Sequence, residues 1–200
     1  MQNTVSCFLV NKNEQKEITA GLQTIPSADL PSGDVTIRVV YSSINYKDAL
    51  AATGHPGVVR NFPHIPGIDA AGFVVDSQSD QFAVGDAVIV TSYELGVERW
   101  GGWSELIRVQ PEWVVPLPAG LTLKESMILG TAGLTAAMCV NSLIQHEIPV
   151  DAGSVLVTGA SGGVGSFALS LLKRVGFHPV AVTGKPAAAL RLIELGAREV

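Results

Sequence analysis

The sequence predicts an α/β protein in two parts, a β-rich N-terminal domain followed by the opening of a doubly wound parallel sheet. Three observations carry this. Residues 1 to about 115 hold short runs rich in β-branched residues, bounded by Gly, Pro and Asp, with no clean amphipathic helix of any length. From Ser154 onward, apolar strand-like runs alternate with helical stretches, the order that builds a parallel sheet covered by helices. Between the first such strand and its helix stands Gly159-Ala160-Ser161-Gly162-Gly163-Val164-Gly165, a glycine-dense turn.

In the first part, strands are expected at residues 5–10, 35–40, 72–75, 87–91 and 105–109. Val35-Thr36-Ile37-Arg38-Val39 alternates apolar and polar, as a half-buried strand does. Residues 1–120 are assigned to a small barrel-like domain and 121–200 to a second one. Thr122 and Glu125 form a capping-box signature, so a helix is expected to start there and run to about Gln145. After the turn Pro149-Val150-Asp151-Ala152-Gly153, residues 154–158 read as a buried parallel strand. A helix over 164–175, a strand over 179–183 and a helix over 187–195 follow, with Gly196 as the last helix's C-cap. A third strand is expected to begin at Arg198-Glu199-Val200. Two parallel strands do not make the six-stranded sheet of two mononucleotide-binding halves, so the domain is expected to be incomplete at its C-terminus.

Composition narrows the function classes. Hydrophobic residues make up 47% of the 200 and charged residues 16%, enough apolar side chain for a real core. The net charge of -5 comes from 13 Lys+Arg and 18 Asp+Glu with no run of five like charges, which argues against nucleic acid and anionic membrane as partners. Cys7 and Cys139 stand alone, without a CxxC or a Cys/His cluster, so neither a disulfide framework nor a zinc ribbon is expected. The apolar stretch from Met127 to Val140 is interrupted by Gly130, Thr131, Gly133 and Thr135 and falls short of the ~18 residues of a span. A soluble protein of the reducing cytoplasm is expected.

Placed on 160, 162 and 165, the glycine turn reads A-x-G-x-x-G in the strand-turn-helix context that a dinucleotide fingerprint requires. Gly162 lets the backbone approach a pyrophosphate, Gly165 lets helix and strand pack closely, and the helix N-terminal amides face the anion. Ser161, Gly162, Gly163, Val164, Gly165 and Ser166 are therefore expected to bind the cofactor. The choice between NAD and NADP is made one strand later. An NAD site places a carboxylate ~20 residues on, yet no acid occurs from Ser166 to Ile193. The strand ends instead in Thr183-Gly184-Lys185, a set suited to a 2′-phosphate, and NADP(H) is expected. Lys185 alone would be an ordinary loop lysine; the missing acid carries the argument.

Six stretches together resemble the medium-chain dehydrogenase/reductase superfamily. They are Asn45-Tyr46-Lys47-Asp48-Ala49-Leu50, the run from Arg60 to Gly72, Val84-Gly85-Asp86-Ala87-Val88, Trp100-Gly101-Gly102-Trp103-Ser104-Glu105, Gly130-Thr131-Ala132-Gly133-Leu134-Thr135-Ala136, and the glycine turn. The resemblance points to the zinc-independent, quinone-oxidoreductase-like branch, on its acrylyl-CoA reductase side. It implies a GroES-like catalytic domain for the β-rich part and the start of a Rossmann domain for the rest. Zinc alcohol dehydrogenases of the superfamily carry Gly-His-Glu where this chain has Gly67-Ile68-Asp69. Isoleucine cannot replace an imidazole ligand, so no metal is expected. His55, His64, His146 and His178 are read as surface or packing residues.

The resemblance implies NADPH-dependent reduction of an activated carbon–carbon double bond, as in a short enoyl-CoA. It places Tyr46, Asn45 and Asp48 at the reacting centre and Tyr46 and Thr131 on the cofactor. Tyr46 is read either as a polar group at that centre or as a packed aromatic with a bonded hydroxyl. Arg60, Lys47 and Arg99 are candidates for the phosphates of coenzyme A, with Arg60 the substrate choice, against the alternative of ordinary surface charges. Trp100 and Trp103 either line a cleft or anchor their turn. Two other functions stay open: an NADPH:quinone reductase, and an NADPH-binding scaffold without turnover. A homodimer is compatible with such a chain.

Overall fold

In the computed structural model, which describes residues 3–200, the chain opens with an antiparallel hairpin of β1 (Thr4–Lys12) and β2 (Ile18–Pro26), in register from Thr4 opposite Pro26 to Lys12 opposite Ile18. Next come β3 (Val35–Ser42), α1 (Tyr46–Ala52), β4 (Asp69–Ser77), β5 (Ala87–Thr91), β6 (Leu106–Val109) and β7 (Val114–Pro116). The five strands form one antiparallel sheet in the order β6-β3-β4-β5-β7. Alternate residues point inward, so Val35, Ile37, Val74, Val88, Val90 and Ile107 make one core. Val5, Cys7, Leu9, Ile25, Ile65 and Leu106 make a second core under the hairpin.

Each strand read from the sequence is present within a few residues. Two strands were not expected. In β2 all but one side chain is at least partly exposed, so it shows no apolar face and owes its form to pairing with β1. β7 has three residues, too few for a period. A helix, α1, also stands where the first 115 residues showed no clean amphipathic helix; its seven residues make two turns, below the length at which periodicity shows.

Four glycines meet where loops cross beside β4. A Cβ on Gly67 would lie 2.7 Å from the Gly102 nitrogen, one on Gly96 2.6 Å from the Gly67 carbonyl carbon, and one on Gly102 2.5 Å from the Asp69 carbonyl oxygen. One on Gly101 would strike the Gly67 carbonyl oxygen. Trp100 and Trp103 flank this crossing, pack against the second core, and donate their indole N–H groups to the carbonyls of Pro63 (2.8 Å) and Ser43 (3.3 Å). They anchor the turn.

The chain divides into two compact units between Thr131 and Ala132. The helix that contains this division is α2 (Leu123–Gln145). Its start is the expected capping box: the Thr122 N–H and hydroxyl donate to the Glu125 carboxylate at 2.9 and 2.7 Å, and the Glu125 N–H returns to the Thr122 hydroxyl at 3.2 Å. Its interior was not foreseen. At Gly130 the backbone leaves helical geometry (φ 49°, ψ -159°), a conformation that only glycine enters readily. The helix also carries an 18-residue window of mean hydropathy 1.7, 22% of it buried, which meets the length and composition of a membrane span and corrects the expectation of a shorter apolar stretch. The break at Gly130 leaves residues 131–145 as the uninterrupted piece, ~22 Å of helix against the ~30 Å of a bilayer core.

In the second unit, β8 (Ser154–Thr158) pairs in parallel with β9 (His178–Val182), and α3 (Gly163–Arg174) connects them. A short 3-10 turn leads into α4 (Ala189–Leu195), closed by Gly196 at φ 123°. The chain then starts a third parallel strand: the Arg198 N–H donates to the Pro179 carbonyl (2.7 Å) and the Ala181 N–H to the Glu199 carbonyl (2.8 Å). Val157, Ala168, Leu169, Leu172, Ala181 and Leu192 fill the space between sheet and helices.

Candidate active site

The first cluster grows from the start of α1. Asn45 precedes the helix in extended conformation (φ -112°, ψ 158°), and the Asp48 carboxylate reaches back to accept the Asn45 N–H at 2.7 Å. The Asp48 N–H closes on the Asn45 carbonyl at 3.0 Å. The other carboxylate oxygen of Asp48 accepts the Ile68 N–H at 2.9 Å, tying the helix start to the loop before β4. Asp48 is fully buried. Burial pushes its pKa up, and the Asp69 charge adds to that, while the bonds from Asn45 and Ile68 oppose both.

Asp69, also fully buried, opens β4. Its carboxylate accepts from the Ser43 hydroxyl, from Asn45 Nδ2 at 2.9 Å, and from Thr131 twice, through N–H at 3.0 Å and hydroxyl at 2.7 Å. Every one of these partners is neutral. Because the Ser43 hydroxyl is spent on Asp69, its oxygen is left to accept Asn45 Nδ2 at 2.8 Å. The Ser92 hydroxyl, 3.2 Å from the Thr131 hydroxyl, is by the same logic the donor of that pair. Asn45, Asp48 and Thr131 thus share one polar cluster, centred on a residue that sequence reasoning did not select. The signal available for Asp69 was its place in Gly67-Ile68-Asp69, where the zinc enzymes carry an acid.

Tyr46 is the first residue of α1 and its side chain is 81% exposed, so it is not a packed aromatic. Arg60 and Lys47 are exposed. Arg99 donates to the Ser32 carbonyl and lies 5.7 Å from the centre of the Trp113 ring, a local surface contact. His64 is a packing residue: it is 2% exposed, its Nε2 donates to the Gly96 carbonyl at 3.0 Å, and burial pulls its pKa down.

The second cluster lies in the second unit. The Ala160 N–H donates to the Val182 carbonyl at 3.1 Å, joining the glycine turn to the end of β9. Gly162 caps α3 in extended conformation (φ -86°, ψ 174°), and the first intrahelical bond runs from the Ser166 N–H to its carbonyl at 2.9 Å. The amides of Gly163, Val164 and Gly165 have no carbonyl four residues back within the helix, and the helix dipole adds positive potential there. A Cβ on Gly165 would lie 2.6 Å from the Ala160 Cα, so helix and strand meet as the fingerprint requires. A Cβ on Gly162 would meet only the Gly159 carbonyl oxygen, at 3.3 Å, leaving its other side open to a ligand. Beside the turn, Ser161, Ser166, Lys185 and Arg191 line one cleft whose lining contains no acid. The Thr183 hydroxyl donates to the Ser161 hydroxyl at 3.1 Å and accepts the Lys185 N–H at 3.1 Å. These residues fit the pyrophosphate and 2′-phosphate of NADP. Arg191 was missed because it stands six positions after Lys185, on α4, with no motif linking the two.

An antiparallel GroES-like sheet followed by a glycine-turn α/β unit defines a class of nicotinamide-dependent enzymes, and residues 31–119 match the alcohol dehydrogenase GroES-like domain family. The chain belongs to the medium-chain dehydrogenase/reductase superfamily, in its zinc-independent quinone-oxidoreductase-like branch. It is 53% identical over 92% of its length to YhfP of Bacillus subtilis, which is named for the quinone oxidoreductases. It is 43% identical over 98% of its length to the acrylyl-CoA reductase AcuI of Ruegeria pomeroyi. Two solved structures share its fold: the yhdH oxidoreductase of Salmonella enterica in complex with NADP (TM-score 0.93, 44% identity, 97% of this chain) and B. subtilis yhfP with NAD bound (TM-score 0.93, 50%, 100%). The chain spans 56% of the YhfP relative, 59% of AcuI and 60% of each solved chain.

Proposed function

We propose that the protein is an NADPH-dependent reductase of the activated double bond of a short enoyl-CoA such as acryloyl-CoA. The observation that carries the reading is the acid-free, cationic cleft at the glycine turn of the second unit; the first unit separately holds a hydrogen-bonding cluster around Asp69. NADPH, when bound, supplies hydride to the β-carbon of the substrate. The amides of Gly163, Val164 and Gly165 would hold its pyrophosphate, and Ser161, Thr183, Gly184, Lys185 and Arg191 its 2′-phosphate. Asn45 and Thr131 would orient the nicotinamide, with Ser166 completing the turn. Ile68 leaves no imidazole ligand at the position where the zinc enzymes polarise their substrate. A carbonyl conjugated to a double bond needs only hydrogen-bond donors where its oxygen gains charge, each worth ~2.7–4 kcal/mol in comparable sites. Tyr46, exposed and free to rotate, would supply one, and Arg60 would meet a phosphate of the coenzyme.

The identity to YhfP supports a second reading, an NADPH:quinone reductase. NADPH oxidation against acryloyl-CoA, crotonyl-CoA and a panel of quinones tests both. A preference for the thioesters by at least tenfold in kcat/KM is expected. Quinone preference supports the second reading, and cofactor binding without turnover supports a non-catalytic scaffold.

A further inference from the structure

We propose that Thr183 is a positioning residue for the 2′-phosphate of NADPH: its hydroxyl turns the Ser161 hydroxyl outward as a donor and holds the Lys185 backbone beside it. The inference deepens the NADPH reading above and rests on it. Every residue involved belongs to the second unit. Thr183 follows directly on β9, and the Ala160 N–H donates to the Val182 carbonyl at 3.1 Å, so backbone alone brings the glycine turn against the end of that strand. The two hydroxyls then meet, with Thr183 Oγ1 donating to Ser161 Oγ at 3.1 Å. Thr183 Oγ1 in turn accepts the Lys185 N–H at 3.1 Å. A hydroxyl has a single proton, so Thr183 has none left for a ligand and reaches the phosphate through Ser161.

Ser161 is left in the opposite state. Its oxygen accepts from Thr183, its proton meets no acceptor among the described residues, and the side chain lines the cleft. Two other serines line that cleft, and both give their protons to backbone: Ser166 donates to the Ala160 carbonyl at 3.3 Å and Ser170 to the Ser166 carbonyl at 3.2 Å. The order of donation runs from the Lys185 N–H to Thr183 and from Thr183 to Ser161. Each link polarises the next, which makes the final O–H a stronger donor. The Lys185 backbone is held on both sides, its N–H by Thr183 and its carbonyl by the Ala188 N–H at 2.9 Å. One threonine thus sets a hydroxyl donor and the backbone of a cation in one cleft, and the lining offers no carboxylate to accept from either. They suit a ligand that brings acceptor oxygens and negative charge, which describes a phosphate. The 2′-hydroxyl of NADH wants the carboxylate that is missing. Thr183 should therefore act on the choice between the nucleotides rather than on nucleotide binding as a whole.

The test uses the full chain in equilibrium titrations with NADPH and NADH, and with 2′-phospho-AMP and AMP, which carry the same difference without a nicotinamide. Thr183→Val keeps the branched shape and removes the hydroxyl. The turn keeps its backbone bond to Val182, and Lys185 is exposed, so water can replace the threonine at its N–H. We expect Thr183→Val to lower the preference for NADPH over NADH by about tenfold, the order of one hydrogen bond to a charged group. NADH affinity and melting temperature should stay as in wild type. Thr183→Ser should restore the wild-type preference. Ser161→Ala should lose as much as Thr183→Val, and the double variant should lose less than the product of the two single losses, because the residues act in series. If Thr183→Val weakens both nucleotides equally, the hydroxyl is only a clasp of the turn and the proposal is overturned. An unchanged preference, or a double variant whose losses multiply, overturns it too. Should Thr183→Val not fold, Ser161→Ala decides: an unchanged preference sinks the proposal and a fall of the expected size supports it. A wild-type protein that prefers NADPH yet reduces nothing ends the reductase reading alone, because the preference is read without turnover. One that binds both nucleotides equally ends the NADPH reading and the proposal with it.

Discussion

Thr131 and Asp69 meet twice across 62 positions of sequence, the threonine amide on one carboxylate oxygen at 3.0 Å and its hydroxyl on the other at 2.7 Å. This bidentate grip needs the backbone of the preceding residue in a conformation that brings both protons to one side. Gly130 supplies it by leaving the helix.

Gly130→Ala should therefore damage both fold and site. The backbone conformation alone costs about 1–3 kcal/mol with a Cβ, and that Cβ would lie 2.7 Å from the Asp69 carboxylate. Urea denaturation should show the loss, and NADPH titration a weaker complex. A variant as stable as wild type would mean that the kink is incidental.

Replacing Tyr46 with Phe is expected to lower kcat and kcat/KM together, by about 10²-fold if its hydroxyl meets developing charge. NADPH affinity and melting temperature should stay as in wild type, since the side chain is 81% exposed. Steady-state kinetics with acryloyl-CoA and a thermal melt read both quantities. An unchanged kcat removes Tyr46 from the chemistry.

NADPH should bind more tightly than NADH, and Lys185→Ala with Arg191→Ala should raise the NADPH Kd about tenfold or more per lost charged contact. NADH affinity should not move. Titration of both nucleotides decides the matter; tighter NADH would reverse it.

Thr122→Ala removes the hydroxyl from the capping box at the start of α2. The expected loss is about 1 kcal/mol in chemical denaturation, with kcat unaffected.

Acidification should expose His64. Burial lowers its folded-state pKa below the ordinary 6.5, so its contribution to stability is complete above pH 6.5 and is lost as pH falls through the folded value. Urea melts at pH 7.5 and pH 5 should show a larger loss for wild type than for His64→Gln, whose side chain can still donate to the Gly96 carbonyl. Equal losses would place the acid sensitivity elsewhere.

The sequence was most legible where geometry follows from local spacing. Thr122 and Glu125, the turn from Gly159 to Gly165, and Gly196 as a C-cap all interact within a few residues, and each stands as read. β2 and α1 escaped because their form is imposed from outside, by pairing with β1 and by the reach of Asp48 to Asn45 and Ile68. The glycine turn showed itself in sequence, while Arg191 joins its cleft only through the fold. Asn45, Asp48 and Thr131 came from resemblance, and what unites them, the carboxylate of Asp69, depends on contacts 24 and 62 residues apart. No periodicity records such contacts.

The crossing of Gly67, Gly96, Gly101 and Gly102 has a meaning for how this protein can vary. Each of these glycines excludes a methyl group because of another's backbone, or of the Asp69 backbone beside it. A substitution at one cannot be relieved by trimming a neighbouring side chain alone, because at each of the four a Cβ also strikes backbone. Compensation would require moving two loops at once, and with them the strand that delivers Asp69. In a saturation library these four positions should act as one inheritance unit, silent to single-step selection, and substrate range should be sought by diversifying the exposed positions around Tyr46 and Arg60.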